Sequence, residues 1–256
     1  MTRSIKLKSR YYRWFPADSH LGYAEEIISI DTAETAFVLV DVYLPDKKNM
    51  EAVDAEKTQL SNKEYELKYD IAVNCIAPAL QMARKINLPI IYVTNSTPKI
   101  AMGNSEFAKK LVQAQGFIIE DEFREDITDP LEYLQGEEKQ ICFMESLKPR
   151  SSDIYIRKHV YSGFYGTRLE VVLQNLHVTN IIFVGFRIDA CLGSTMLDAL
   201  YRNFKVILLR DCTLACELPE ELEEMKFTKR MLLWFETLVG VTVDSKDFIG
   251  ACKSDK

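Results

Sequence analysis

Histidine is scarce in this chain, with three in 256 residues. A metal centre asks for two or three His or acidic side chains at ligand spacing, whereas His20, His159 and His177 stand far apart and none lies between Asp41 and Lys158. No metal and no cofactor are expected. The six cysteines, at 75, 142, 191, 212, 216 and 252, form neither a CxxC pair nor a Cys/His cluster. They read as reduced thiols, and a cytoplasmic protein is expected. Long apolar runs are missing too: stretches such as Ile181–Val184 fall far short of the roughly 20 residues that a membrane span needs, so no membrane partner is expected. A clustered basic surface is lacking. The formal net charge is −6 and the pI is near 5.3, which argues against nucleic acid and for a small-molecule substrate. Internal repeats and low-complexity linkers are also absent, so one domain over 1–256 is the reading.

The one basic concentration is Met1–Arg13, with Arg3, Lys6, Lys8, Arg10 and Arg13 and no acid. It has no apolar core of the kind a secretory signal carries. The aromatic run Tyr11-Tyr12-Arg13-Trp14-Phe15-Pro16 makes residues 1–34 look like an N-terminal arm packed on the body. A cleaved organellar signal is the alternative.

Six β-rich segments are legible: Phe37–Val42, Pro89–Thr94, Asp153–Lys158, Asn180–Phe186, Lys205–Asp211 and Val241–Val243. Most are continuous apolar runs rather than alternating ones, the mark of strands covered on both faces. Between them lie helical patterns at Asp70–Ile86, Arg168–Leu176, Cys191–Asn203 and Pro219–Leu238. This alternation predicts an α/β fold with a doubly wound parallel sheet and helices on both faces. Ligands in such sheets bind beyond the carboxyl ends of the strands, where strand order reverses. The interval 95–150 breaks the pattern with an acidic stretch from Glu120 to Glu138. It reads as a solvated insertion, with a lid or subunit contact as the alternative.

Three residues stand at places where chemistry could be done. Asp41 ends the run Ala36-Phe37-Val38-Leu39-Val40; it could merely cap the next turn, or act as a base whose pKa burial raises. Lys158 ends the strand Ile154–Arg157. Such a lysine is usually solvated, and its functional role would be to stabilise a thiolate. Cys191 follows Gly185-Phe186-Arg187-Ile188-Asp189-Ala190 and opens a helix. Many cysteines are small core hydrophobes, yet a thiol in the first turn of a helix feels the positive end of the dipole, which predicts a lowered pKa. Cys75, Cys212 and Cys216 have no such setting and read as structural.

The order and contexts of these residues resemble the isochorismatase-like cysteine hydrolases. The resemblance is carried by Val40-Asp41-Val42, by Lys158 followed by Tyr161-Ser162-Gly163-Phe164-Tyr165-Gly166-Thr167, by Gly185 through Cys191, and by Ser194-Thr195 and Asp198-Ala199. It covers about Thr35 to Ile249, and is nearest to the branch that hydrolyses ureidoacrylate and biuret. It implies a six-stranded parallel sheet with Asp41, Lys158 and Cys191 converging as a catalytic triad. It also implies a cis peptide at Phe186–Arg187 that aims the Arg187 and Cys191 backbone N–H groups at an oxyanion. Tyr43, Asn95, Tyr161, Ser162 and Phe164 become the substrate-binding candidates. The activity implied is hydrolysis of a terminal C–N bond in a small ureide or amide through a Cys191 acyl-enzyme, with ammonia released, and a homo-oligomer is expected.

The sequence departs from the family at Tyr43, where many relatives have Gln or Asn, and at Gly193, where the ureide-cleaving branch often has Glu. Hydrolysis of isochorismate or nicotinamide, or a non-catalytic binding role, are the alternatives. Cys191 and the missing metal-binding histidines count against them.

Overall fold

A computed structural model describes residues 4–44, 62–95, 105–115 and 142–253. Among the described residues eight strands make one sheet: β1 (Ser4–Arg13), β2 (Gly22–Asp31), β3 (Thr35–Val40), β4 (Ile90–Asn95), β5 (Ile154–Lys158), β6 (Asn180–Gly185), β7 (Lys205–Leu209) and β8 (Val241–Val243). Their order is β2-β1-β8-β7-β6-β3-β4-β5. From β8 to β5 every pairing is parallel. Those six strands are the ones read from apolar runs. All six residues of β3 and all six of β6 are buried, because both faces are covered.

The two faces carry separate cores. Phe37, Leu39, Ile182 and Val184 point into one, and Ala36, Val38, Ile181 and Phe183 into the other. The first is covered by α1 (Asn62–Ile71), α2 (Ala77–Lys85) and α7 (Ser245–Lys253). The second is covered by α4 (Leu169–Asn175), α5 (Cys191–Tyr201) and α6 (Lys226–Leu238). A further helix, α3, spans Glu106–Gln115. No helix among the described residues is long and apolar enough to cross a membrane.

The N-terminal segment corrects the expectation of a six-stranded sheet. Strands β1 and β2 form an antiparallel hairpin, and β1 extends the sheet by pairing antiparallel with β8 through Ser9 and Arg10. The cause is a period of two: Ile5, Leu7 and Ser9 are buried while Ser4, Lys6 and Lys8 face out. The aromatic run does not pack as an arm would, since Trp14 is 63% and Phe15 83% exposed. Arg10 Nε donates to the buried Glu236 of α6 at 2.8 Å, and Thr242 of β8 donates to the same oxygen at 2.5 Å.

Two helices depart from their expected bounds. The stretch expected at Asp70–Ile86 starts earlier, at Asn62, and widens into a π turn over Ala72–Ile76. Pro78 has no N–H to give to the preceding turn, and the Ala77 N–H reaches back five residues to the Ala72 carbonyl. The helix expected from Pro219 begins only at Lys226. Met225 takes a left-handed φ of 48°, and the Glu217 carboxylate accepts the Phe227 and Thr228 N–H groups at 2.9 and 2.6 Å, capping the helix there.

Candidate active site

Strand order decides where the site lies. The chain runs from β3 outward through β4 to β5, then returns to place β6 on the other side of β3. The crevice at this reversal opens at the carboxyl ends of the strands. Val40, the last residue of β3, is paired with Val93 and with Gly185, and Asn95 is paired with Lys158. Asp41, Asn95, Lys158 and the turn after Gly185 therefore reach the same edge. A β-carbon on Gly185 would stand 2.0 Å from the Val40 carbonyl oxygen, so only glycine lets β6 leave the sheet this close to β3.

Asp41 adopts a left-handed φ of 49°, uncommon for a residue with a β-carbon. Its Oδ1 accepts the Asn95 N–H at 3.0 Å. Oδ2 lies 3.0 Å from Lys158 Nζ, an ionic contact in which it makes no hydrogen bond. Lys158 is fully buried, against the general expectation that a lysine at a strand end is solvated. Its ammonium donates to the Asn95 side-chain oxygen and to Cys191 Sγ at 3.2 Å, and meets Asp41 as an ion pair. Burial works against its charge, but Asp41 and Cys191 more than offset that, and the Lys158 pKa is raised.

Cys191 is 8% exposed at the first position of α5, and no side chain caps that helix. The expected fall in its pKa does not occur. Burial is the largest influence and the Asp41 carboxylate adds to it, so the thiol is pushed up to about 12 although Lys158 opposes the shift. The lysine's charge is already shared with Asp41, and the dipole of one helix does not outweigh desolvation. The resting group is a thiol beside a carboxylate, with Sγ 3.8 Å from the Asn95 side-chain oxygen.

The peptide bond between Phe186 and Arg187 is cis. Among the described residues the backbone N–H groups of Arg187 and Cys191 meet no protein acceptor. The Arg187 side chain turns to α1, with Nη1 2.9 Å from Glu64 Oε1. Helix α5 packs tightly on the turn before it: a β-carbon on Gly193 would meet the Ile188 carbonyl oxygen at 2.0 Å. A larger residue there would require a different turn.

Of the residues expected to touch substrate, Asn95 and Tyr43 are at the site. Asn95 donates to the Tyr43 hydroxyl at 2.9 Å, and burial, then Asp41 and Cys191, hold that phenol well above its ordinary pKa. Tyr161 is 38% exposed and its ring meets Phe107 of α3 edge-on at 4.8 Å. Ser162 and Phe164 make contacts within the protein. The Ser162 hydroxyl donates to Asp198 and accepts the Phe164 N–H at 3.1 Å. The Phe164 ring is buried against Phe204, with Arg202 4.9 Å from its centre. Together with the Gly163 N–H bond to Thr195 Oγ1 at 2.9 Å, these contacts clamp the turn after Lys158 onto α5. They tie the segment that follows Lys158 to the helix that Cys191 opens. The acidic stretch from Glu120 to Glu138 lies wholly outside the described residues.

Lys68 is the site residue that sequence reasoning missed. It sits on α1 with its ammonium 4.8 Å from the Phe186 ring centre and 5.8 Å from that of Tyr43. It lies before the expected start of that helix, and neither charge nor periodicity marks it out. Among the described residues no three His, Cys, Asp or Glu side chains are arranged to hold a metal.

Residues 53–241 match the model of the isochorismatase domain. Curated relatives include the ureidoacrylate amidohydrolase RutB of Agrobacterium fabrum, 32% identical over 72 residues that make up 28% of this chain and 32% of that protein. The protein of that name from Methylorubrum extorquens is 31% identical over 115 residues, 45% of this chain and 44% of its own. The chain thus spans less than half the length of these relatives. The fold is similar to a cysteine hydrolase from Pseudomonas syringae pv. phaseolicola, with a TM-score of 0.64 at 23% identity, covering 88% of this chain and 95% of the other. It is also similar to an N-carbamoylsarcosine amidase from Thermoplasma acidophilum, with a TM-score of 0.52 at 20% identity over 83% and 96% of the two chains.

Proposed function

The chain belongs to the isochorismatase family, and from that premise we propose that it is an amidohydrolase that cleaves the terminal C–N bond of a small ureide or amide through a Cys191 acyl-enzyme. The observation that carries this reading is a thiol within 3.2 Å of a buried ammonium, which is itself 3.0 Å from a carboxylate oxygen that makes no hydrogen bond. A binding protein gains nothing from burying that set. The names of the relatives point the same way, since ureidoacrylate and N-carbamoylsarcosine both carry a terminal carbamoyl nitrogen.

A thiol with a pKa near 12 is not a thiolate at rest, so deprotonation and attack go together. Asp41 Oδ2 takes the sulfur's proton as Sγ bonds to the carbonyl carbon, and Lys158 stabilises the charge passing through sulfur. The carbonyl oxygen gains the electron pair and is held by the Arg187 and Cys191 N–H groups. When the tetrahedral centre collapses, the C–N bond breaks, Asp41 returns the proton to nitrogen, and ammonia leaves. Water then gives a proton to Asp41 and its oxygen to the same carbon, and the C–S bond breaks with the proton restored to sulfur. Tyr43 and Asn95 line the approach, the Asn95 amide holding the Tyr43 hydroxyl.

Ammonia release from ureido acids, biuret-like compounds, nicotinamide and simple amides tests the reading. Turnover of at least one ureide or amide, with a mass adduct on the Cys191 peptide after rapid quenching, is expected. No ammonia from any of them, or an adduct on another residue, would sink it.

A further inference from the structure

One cation at the site stands without an acid at ion-pair distance among the described residues. Asp41 is matched with Lys158 and Glu64 with Arg187, at 3.0 and 2.9 Å. Lys68 stands one turn after Glu64 on α1 and senses Arg187, Asp41, Glu64 and Cys191. Both carboxylates it senses already have a nearer cation. Asp189, the next acid along the turn, accepts the Cys216 N–H at 3.1 Å. Among the described residues the Lys68 ammonium makes no ion pair and no hydrogen bond, and it faces only the rings of Phe186 and Tyr43. Aromatic faces attract a cation but do not neutralise it. The side chain is half-buried, yet enclosure of its charge, with Arg187 adding repulsion, draws its pKa down to about 8.

Phe186 directly precedes Arg187 in the turn that presents Cys191, and the hydroxyl of Tyr43 is held by the same Asn95 that contacts Lys158. The unpaired ammonium therefore lies beside the turn that presents the sulfur and beside the tyrosine held by Asn95. We propose that Lys68 anchors a carboxylate on the substrate, so that the site takes a ureido or amide acid rather than an uncharged ureide. A single ammonium without an ion pair calls for a monoanion, which fits a carboxylate better than a phosphate dianion. The inference rests on the amidohydrolase reading for the group that is cleaved, but not for the charge.

Alkylation separates the two. Iodoacetate and iodoacetamide differ at the end remote from iodine, and the ratio of their rates at Cys191 cancels any change in the thiolate fraction. Relative to glutathione, the wild-type ratio is expected to favour iodoacetate by on the order of tenfold. Lys68→Met should abolish that preference, Lys68→Arg should retain it, and Lys63→Met, an exposed change on the same helix, should leave it alone. The ammonium is present below about pH 8 and lost above it, so the preference should fade as pH rises through that value. Should Lys68→Met not fold, Lys68→Gln serves. A wild-type ratio equal to that of glutathione, or one unmoved by loss of Lys68, overturns the inference whatever is hydrolysed. If the ratio behaves as stated and no ureide or amide is turned over, the amidohydrolase reading falls and the anion site stands. With an active enzyme, Lys68→Met should raise KM for a ureido acid at least tenfold more than for its methyl ester.

Discussion

Strand β5 has a buried ion pair at each end, and the two pairs are put to different uses. At its start, Arg84 meets Asp153 at 2.5 Å with side chains 10% and 4% exposed. At its finish, Lys158 meets Asp41 at 3.0 Å with side chains 0% and 7% exposed. Burial and charge are alike. The surroundings are not: the Arg84 Nη2 group also donates to the Tyr92 hydroxyl and the Lys148 carbonyl, and Asp153 also accepts the Arg150 N–H. Every one of those partners is scaffold, and the pair fastens the loop before β5 to the end of α2. The group left without a hydrogen bond there is Arg84 Nε, a donor that cannot lose its proton. At the other end the group left over is Asp41 Oδ2, an acceptor beside a thiol. One leftover is inert and the other can do proton transfer.

The widest separation between the two ends should come from Cys191→Ala. Losing one sulfur at a helix start leaves a small void, so the protein should fold, while turnover should fall by on the order of 10³ or more. Substantial remaining hydrolysis, followed as ammonia, would show that the reactive end has been misread. Lys158→Met comes next, with a loss in kcat on the order of 100-fold. It should also slow iodoacetamide at Cys191 at every pH. In the wild type that rate should climb steadily from pH 6 to pH 9, because a thiol raised to about 12 is still mostly protonated there; a plateau near neutrality would mean that the thiolate already exists at rest. The smallest effect on chemistry belongs to Asp153→Asn. Removing one partner of a buried pair costs about 3 kcal/mol of stability, visible as a lower urea midpoint, while kcat of the folded protein should stay within about threefold. A fall in kcat rivalling that of Lys158→Met would erase the distinction between the two ends.

The parallel strands were legible because strands covered on both faces have no polar side to display: the apolar runs at β3, β4 and β6 could hardly be anything else. Asp41, Lys158 and Cys191 were legible for a related reason, standing where such runs stop or where a helix starts. The hairpin was obscured by charge. Lys6 and Lys8 drew attention to a basic tail, although they alternate with the buried Ile5 and Leu7 in the plainest strand pattern of the chain. Ser162 and Phe164 came from the resemblance alone, and no local pattern showed that β5 ends at Lys158 and that the chain turns there to dock on α5.

What the sequence by itself determined is the alternation of strands and helices and the order in which an acid, a lysine and a cysteine arrive at strand and helix ends, since these follow from local periodicity and spacing; the family followed from likeness to known sequences. Only the tertiary structure decided that the lysine is buried and shared, that the thiol's pKa rises where the helix start predicts a fall, and that Lys68 faces the crevice without a counter-ion among the described residues. Those properties depend on desolvation and on charges brought together from distant parts of the chain, and no local pattern of residues encodes either.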